Sequence, residues 1–112
     1  MEFLVEIAVN LPPDLDPEKA TALREAEAAR GTDLYEAGVI QRTWRVPGRR
    51  AAVAIWAAAD ATALHEALAS LPLFPWLDIE VTPLARHYLE DRIAARIRSS
   101  TSDARPASDP KR

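Results

Sequence analysis

The chain begins with a strict alternation, in which Phe3, Val5, Ile7 and Val9 are interleaved with Glu2, Leu4, Glu6, Ala8 and Asn10. A period of two predicts a strand whose faces meet different surroundings. Leu11-Pro12-Pro13 ends it, because proline cannot donate to a sheet ladder. Asp16 before Pro17 supplies an N-cap followed by proline at the first helical position, and Glu18 adds favourable charge in the first turn. The helix is predicted to run to Glu36 or Ala37 with Gly38 as its stop, and Gly31 is a weak point or break within it. Val39 to Val46 and Arg50 to Ala58 read as two strands joined through Pro47-Gly48-Arg49 as an antiparallel hairpin. Asp60 caps a second helix through Ser70, with Ala63, Leu64, Ala67, Leu68 and Leu71 at helical spacing. After the stiff apolar connection Leu71-Pro72-Leu73-Phe74-Pro75, Leu77, Ile79 and Val81 alternate with Asp78, Glu80 and Thr82 in a fourth strand. Arg86 to Ser99 has helical character, with Leu89, Ile93 and Ile97 at four-residue intervals, and is expected to pack on a neighbour or on the sheet edge.

The order β-α-β-β-α-β predicts an α+β, ferredoxin-like fold: a four-stranded antiparallel sheet with both helices on one face, of the dimeric α+β barrel type, plus a C-terminal helix. Residues 1–98 form the expected domain, and the Ser, Asp, Pro and Lys content of 99–112 reads as a disordered tail. With 112 residues there is material for one core but little for a cavity enclosed within a single chain, so surfaces shared between copies are expected. The open face of the sheet gives a dimer its place.

Seventeen acidic against fourteen basic residues leave a net charge of -3, which argues against a nucleic-acid partner, since phosphate binding needs cations in excess. The absence of cysteine removes disulfides, thiolate chemistry and zinc–thiolate sites and suits a reducing compartment. Met1-Glu2-Phe3 leads straight into a strand and no apolar run approaches the ~20 residues of a membrane span. The expectation is a soluble, cytoplasmic protein with no membrane partner.

One polar residue breaks the helix pattern. Glu27 falls on the stripe of Ala20, Leu23 and Leu34, a face that should lie against the sheet at about 3.6 residues per turn. A carboxyl group there would be partly desolvated and its pKa pushed upward, which suits a general base for carbon-bound protons. The bland alternative is a carboxylate that bends to the rim and pairs with Arg24 or Arg30.

The residues Leu11-Pro12, Asp14, Asp16-Pro17, Lys19-Ala20-Thr21, Glu27, Trp44-Arg45 and Gly48, then Ala63-Leu64-His65, Leu71 to Pro75, Asp78 to Val81 and Arg86-His87, together resemble the muconolactone Δ-isomerase family over about residues 1–88. The resemblance implies a homo-oligomer of small subunits, built of dimers and in the family's typical form a decamer, and a cofactor-free reaction with no metal. A lactone is the small-molecule substrate, (S)-muconolactone becoming 3-oxoadipate enol-lactone by a 1,3-proton shift in aromatic catabolism through the β-ketoadipate pathway. It assigns Glu27 to proton abstraction and return. Two departures stand out: Arg49 to Trp56 is rich in alanine where family members often carry His or Asn, and Leu4 stands where some have His. They leave room for a relative repurposed for isomerisation, cyclisation or elimination on another lactone or polyketide-like substrate. A non-catalytic oligomeric ligand-binding module is the further rival.

Other candidates are weighed around Glu27. Arg45 could bind the substrate carboxylate or steady an oxyanion, against a bland salt bridge to Glu80 or Asp78 on matching strand parity. Trp44 is a wall residue whose indole N–H could donate. Phe74 and Trp76 would make a lid over a flat ring, Tyr35 a hydroxyl near the helix end, and His87 a group reaching a neighbouring pocket. His65 lacks metal-ligand company.

Overall fold

The computed structural model describes residues 1–100 of the chain. The elements follow in the predicted order: β1 (Glu2–Val9), α1 (Pro17–Glu36), β2 (Ile40–Arg45), β3 (Ala51–Ala57), α2 (Ala61–Ala69), a short 3-10 turn (Phe74–Trp76), β4 (Leu77–Leu84) and α3 (Tyr88–Ser100). The tail expected over 99–112 lies, from residue 101 onward, outside the described residues. The strands form one antiparallel sheet in the order β2-β3-β1-β4, the ferredoxin-like arrangement.

Local chemistry sets the helix ends. Asp16 Oδ1 accepts from the Glu18 N–H at 3.2 Å to open α1, and Asp60 Oδ1 accepts from the Ala63 N–H at 2.8 Å to open α2; each satisfies a donor that the helix itself cannot. Gly38 ends α1 with φ 81°, a conformation that a Cβ disfavours. Gly31 does not break α1. The helix is continuous through it, and the Thr32 hydroxyl donates to the Ala28 carbonyl at 2.8 Å across that turn. A single glycine costs a helix about 1 kcal/mol, which a 20-residue helix docked on a sheet tolerates.

Register divides the sheet into two faces. Arg45, Ala52, Ile7 and Ile79 form one cross-strand row, with Thr43, Ala54, Val5 and Val81 in the next row on the same face. This face meets the helices: Phe3, Val5, Ala54 and Trp56 pack with Leu34 of α1, Leu64 and Leu68 of α2, and Leu71. The intervening rows, Trp44-Val53-Glu6-Glu80 and Arg42-Ile55-Leu4-Thr82, point the other way.

Strand β2 does not keep its simple alternation. Ile40 pairs with Trp56 but Arg42 pairs with Ile55, so Gln41 is an extra residue, a bulge whose side-chain amide donates to the Gly38 carbonyl at 2.6 Å. An extra residue swaps the faces of everything after it. Thr43 and Arg45 therefore turn toward the helices, and Trp44 turns away. The matching parity expected for Arg45 and the Glu80 row is thereby corrected, because the bulge puts them on opposite faces.

Helix α3 stands apart from this core. Tyr88, Leu89, Ile93 and Ile97 are all exposed, so the expected packing on the sheet edge does not occur and the apolar stripe remains uncovered in the single chain. No helix among the described residues is long and apolar enough to cross a membrane. Leu34 is the one fully buried side chain of α1 and hence the chief anchor of that helix on the sheet. Leu34→Ala is expected to lower the unfolding free energy by about 2–5 kcal/mol, measured by urea denaturation.

Candidate active site

Glu27 faces inward. Ala20, Leu23 and Glu27 are half-buried and Leu34 is buried, as the helical spacing requires. Its Oε1 accepts a hydrogen bond from the backbone N–H of Leu73 at 2.9 Å. Leu73 sits in a connection folded tightly on itself: the Phe74 N–H donates to the Leu71 carbonyl at 2.9 Å and the Trp76 N–H to the Leu73 carbonyl at 2.8 Å. Pro72 and Pro75 stiffen the same stretch, so the amide is presented by a backbone with little freedom. Neither arginine expected as a partner pairs with Glu27; the Arg30 Nε donates to Ser70 Oγ at 2.9 Å instead.

Two opposed effects act on this carboxyl. Burial disfavours its charged form and raises its pKa, while the Leu73 N–H stabilises the charge and lowers it; burial wins. The result is a carboxylate more basic than one in water but still held in position.

Beside it lies an open-sided cavity of about 380 Å³, lined from α1 by Glu27, Gly31 and Tyr35 and from the sheet by Thr43, Ala52, Ala54 and Trp56. That volume falls in the range of about 300–1,000 Å³ common for small-molecule sites. Its walls are mostly apolar, with few polar groups. Trp56 is 2% exposed, and its indole N–H is a buried side-chain donor with no acceptor among the described residues. A second cavity of about 420 Å³ adjoins the first, since Ile7 and Ala52 line both; it is also lined by Leu73, Arg24, Arg45 and Arg50.

The structure thus gathers Glu27, Tyr35 and Arg45 around contiguous space. It does not bring the other candidates there. Trp44 lies on the far face of the sheet, 44% exposed, with the Arg42 guanidinium 4.8 Å from its ring centre. Phe74 packs against the core, edge-on to His65, and the Trp76 carbonyl accepts from the Asn10 N–H; neither side chain lines the two cavities. Leu71 and Leu73 provide that wall instead. His87 caps α3, its Nδ1 accepting from the Leu89 N–H at 3.0 Å while its ring stacks on Tyr88. Leu4 belongs to the face turned away from Glu27, so its identity does not touch this cavity.

Arg24, Arg50, Trp56 and the Leu73 N–H had no place among the sequence candidates. Arg24 could have been found one helical turn before Glu27, and Trp56 from its alternation with Ala54 and Ala52. The amide donor carries no sequence signal.

Fold and site together define a small ferredoxin-like domain that presents one partly desolvated carboxylate to a mostly apolar cavity with a cationic neighbour. Residues 1–90 match the family model described as muconolactone delta-isomerase. The chain is 42% identical over 87 residues to muconolactone delta-isomerase 2 of Acinetobacter lwoffii, covering 78% of this chain and 91% of that one. It is 39% identical over 87 residues to the muconolactone delta-isomerase of Pseudomonas putida, with the same coverage. A crystal structure of muconolactone isomerase superposes with a TM-score of 0.75 at 41% identity, covering 79% of this chain and 92% of that one. A 5-chloro-2-hydroxyhydroquinone dehydrochlorinase from Burkholderia phenoliruptrix shares the fold at TM-score 0.58 and 17% identity, covering 78% of this chain and 96% of that one. The chain belongs to the muconolactone delta-isomerase family.

The raised pKa of Glu27 has a consequence for stability. The folded state prefers the protonated carboxyl, so its contribution is complete below the unfolded-state pKa and is lost as pH rises through the folded-state value. Glu27→Gln keeps an oxygen for the Leu73 N–H and cannot ionise. From about pH 4 upward, the variant should gain stability relative to wild type and then level off, as read from urea midpoints across pH; a difference that does not change with pH would mean a solvated carboxylate, and one that moves the opposite way an ion-paired one.

Proposed function

We propose that this chain is a cofactor-independent isomerase that moves a ring double bond of a butenolide by proton transfer through Glu27, with (S)-muconolactone as substrate and 3-oxoadipate enol-lactone as product. The observation that carries the reading is the inward carboxylate, made basic by burial and fixed by the Leu73 amide beside a cavity of suitable size. Family membership supports the choice of substrate.

The chemistry balances within the substrate. Glu27 takes the ring proton that is vinylogously acidified by the lactone carbonyl; the C–H electron pair moves into the ring and charge develops on the carbonyl oxygen. The same carboxyl group then returns the proton to the carbon next to the carbonyl, and the double bond has moved. A base whose pKa is raised toward the operating pH is matched to such a step. Tyr35, on the same wall of the cavity, is placed to meet the ring, and Arg45 in the adjoining space to meet the acetate carboxylate. Trp44, Phe74, Trp76 and His87 are not part of this mechanism within one chain.

The working form is a homo-oligomer in the cytoplasm. The open-sided cavity, the second face of the sheet and the uncovered stripe Leu89-Ile93-Ile97 support association of copies, because exposed apolar patches of this kind favour burial; the cysteine-free sequence is in keeping with the compartment. Ile93→Asp should shift the protein toward smaller species in analytical ultracentrifugation if α3 is part of that contact.

The alanine-lined third strand, which contributes Ala52 and Ala54 to the cavity, favours as second reading a relative acting on a different lactone. Purified protein should convert (S)-muconolactone to the enol-lactone, and Glu27→Gln should lower kcat at least about 100-fold. A wild-type oligomer that leaves muconolactone untouched while turning over another butenolide would select the second reading, and an undiminished Glu27→Gln would exclude this base.

A further inference from the structure

Three guanidinium groups share one cavity without an acid among them. Arg24 comes from α1, one turn before Glu27; Arg45 closes β2; Arg50 precedes β3 and is fixed by the Val9 N–H donating to its carbonyl at 3.0 Å. No Asp or Glu lines this space, and none of the three arginines has a carboxylate partner among the described residues, where the ion pair is Arg86 with Asp91. That is unusual in a chain of net charge -3. The contrast lies across the sheet, where Arg49 lines a hollow together with the acids Glu6, Asp78 and Glu80. Uncompensated like charges repel, so their convergence disfavours the empty site and favours an anion that joins them.

The position of the cavity says which part of a ligand they would hold. Ile7 and Ala52 line both this space and the one beside Glu27, and Leu73 lines it while its N–H holds the Glu27 carboxylate. An anionic arm bound by the arginines therefore directs the body of its molecule across Ile7 and Ala52 toward the base. We propose that Arg24 and Arg50 act with Arg45 as a carboxylate-anchoring subsite, and that Arg24 and Arg50 make this chain selective for lactones bearing a free carboxylate. This deepens the reading of Glu27 as the base and rests on it for the reaction, but not for the binding.

Guanidinium groups recognise carboxylates through paired, charge-assisted hydrogen bonds, each worth enough to change affinity about tenfold or more. Positioning by the arm acts on binding before the chemical step. Removing either arginine should thus appear in KM.

The test compares (S)-muconolactone with its neutral methyl ester, using wild type, Arg24→Gln, Arg50→Gln, the double variant, and Arg49→Gln as a control on the far face. Each single substitution should raise KM for the acid about tenfold with kcat little changed, the double variant more, and none should alter the kinetics of the ester; Arg49→Gln should behave as wild type. Calorimetric titration of the acid and the ester into the Glu27→Gln variant, with and without the arginine substitutions, reads the subsite without turnover. Charge-selective binding that disappears with Arg24 and Arg50 upholds the subsite even if wild type turns over neither compound, a result that would count against Glu27 alone. Equal losses for acid and ester, or an unchanged KM for the acid, would overturn the subsite and leave the role of Glu27 standing.

Discussion

The hydrogen bond from the Leu73 N–H to Glu27 Oε1 joins segments 46 residues apart in sequence, and the rest of the site is arranged around it. A carboxylate among apolar neighbours is costly when charged, and without a donor it would protonate or turn to solvent. A donor too strong would make it a poor base. A single neutral amide lies between these limits, so desolvation remains the larger influence. The geometry also ties distant parts of the fold together: the stiff Leu71–Pro75 connection, which looks like mere linkage in the sequence, holds the inward carboxylate of a helix elsewhere in the chain.

Much of this was legible from residue pattern. The order of elements, the caps at Asp16 and Asp60, the stop at Gly38 and the inward place of Glu27 follow from periodicities and local propensities, which depend on neighbours within a few residues. What sequence could not supply were features set by register and by backbone. The bulge at Gln41 is invisible to an alternation count, yet it reverses the faces of Thr43, Trp44 and Arg45. Trp44 consequently faces away from the helices, and Arg45 lies on the face opposite Glu80. Aromatic residues beside prolines suggest a lid at Phe74 and Trp76, but across the 3-10 turn it is Leu71 and Leu73 that line the cavities. The arginine cluster escaped notice because its members come from three elements.

The two cavities differ in the chemistry of their linings. Near Glu27 the lining of alanine, Val5, Ile7 and Trp56 offers little to hydrate a charge, and this keeps the carboxylate basic. The three guanidinium groups stand farther out, at exposed positions, where water moderates their mutual repulsion and their influence on Glu27. Had they lined the inner cavity, the same charges would have favoured the ionised carboxylate and weakened it as a base. Separation by the Ile7–Ala52 strip lets the proposed base and the proposed anion-binding arginines coexist in one small domain.

Gly31 carries an implication for how such a site can change over time. It lies in the wall beside Glu27, and a methyl group built there would meet nothing within 4 Å. Its backbone is ordinary helix, so alanine would fit without strain and would strengthen the helix by about 1 kcal/mol. The width of the chamber is thus adjustable at one codon, and the smallest reduction, to alanine, also strengthens the helix. A lineage with this architecture can narrow the space beside Glu27 by that step at a gain in stability, and reopening it to glycine gives the gain back.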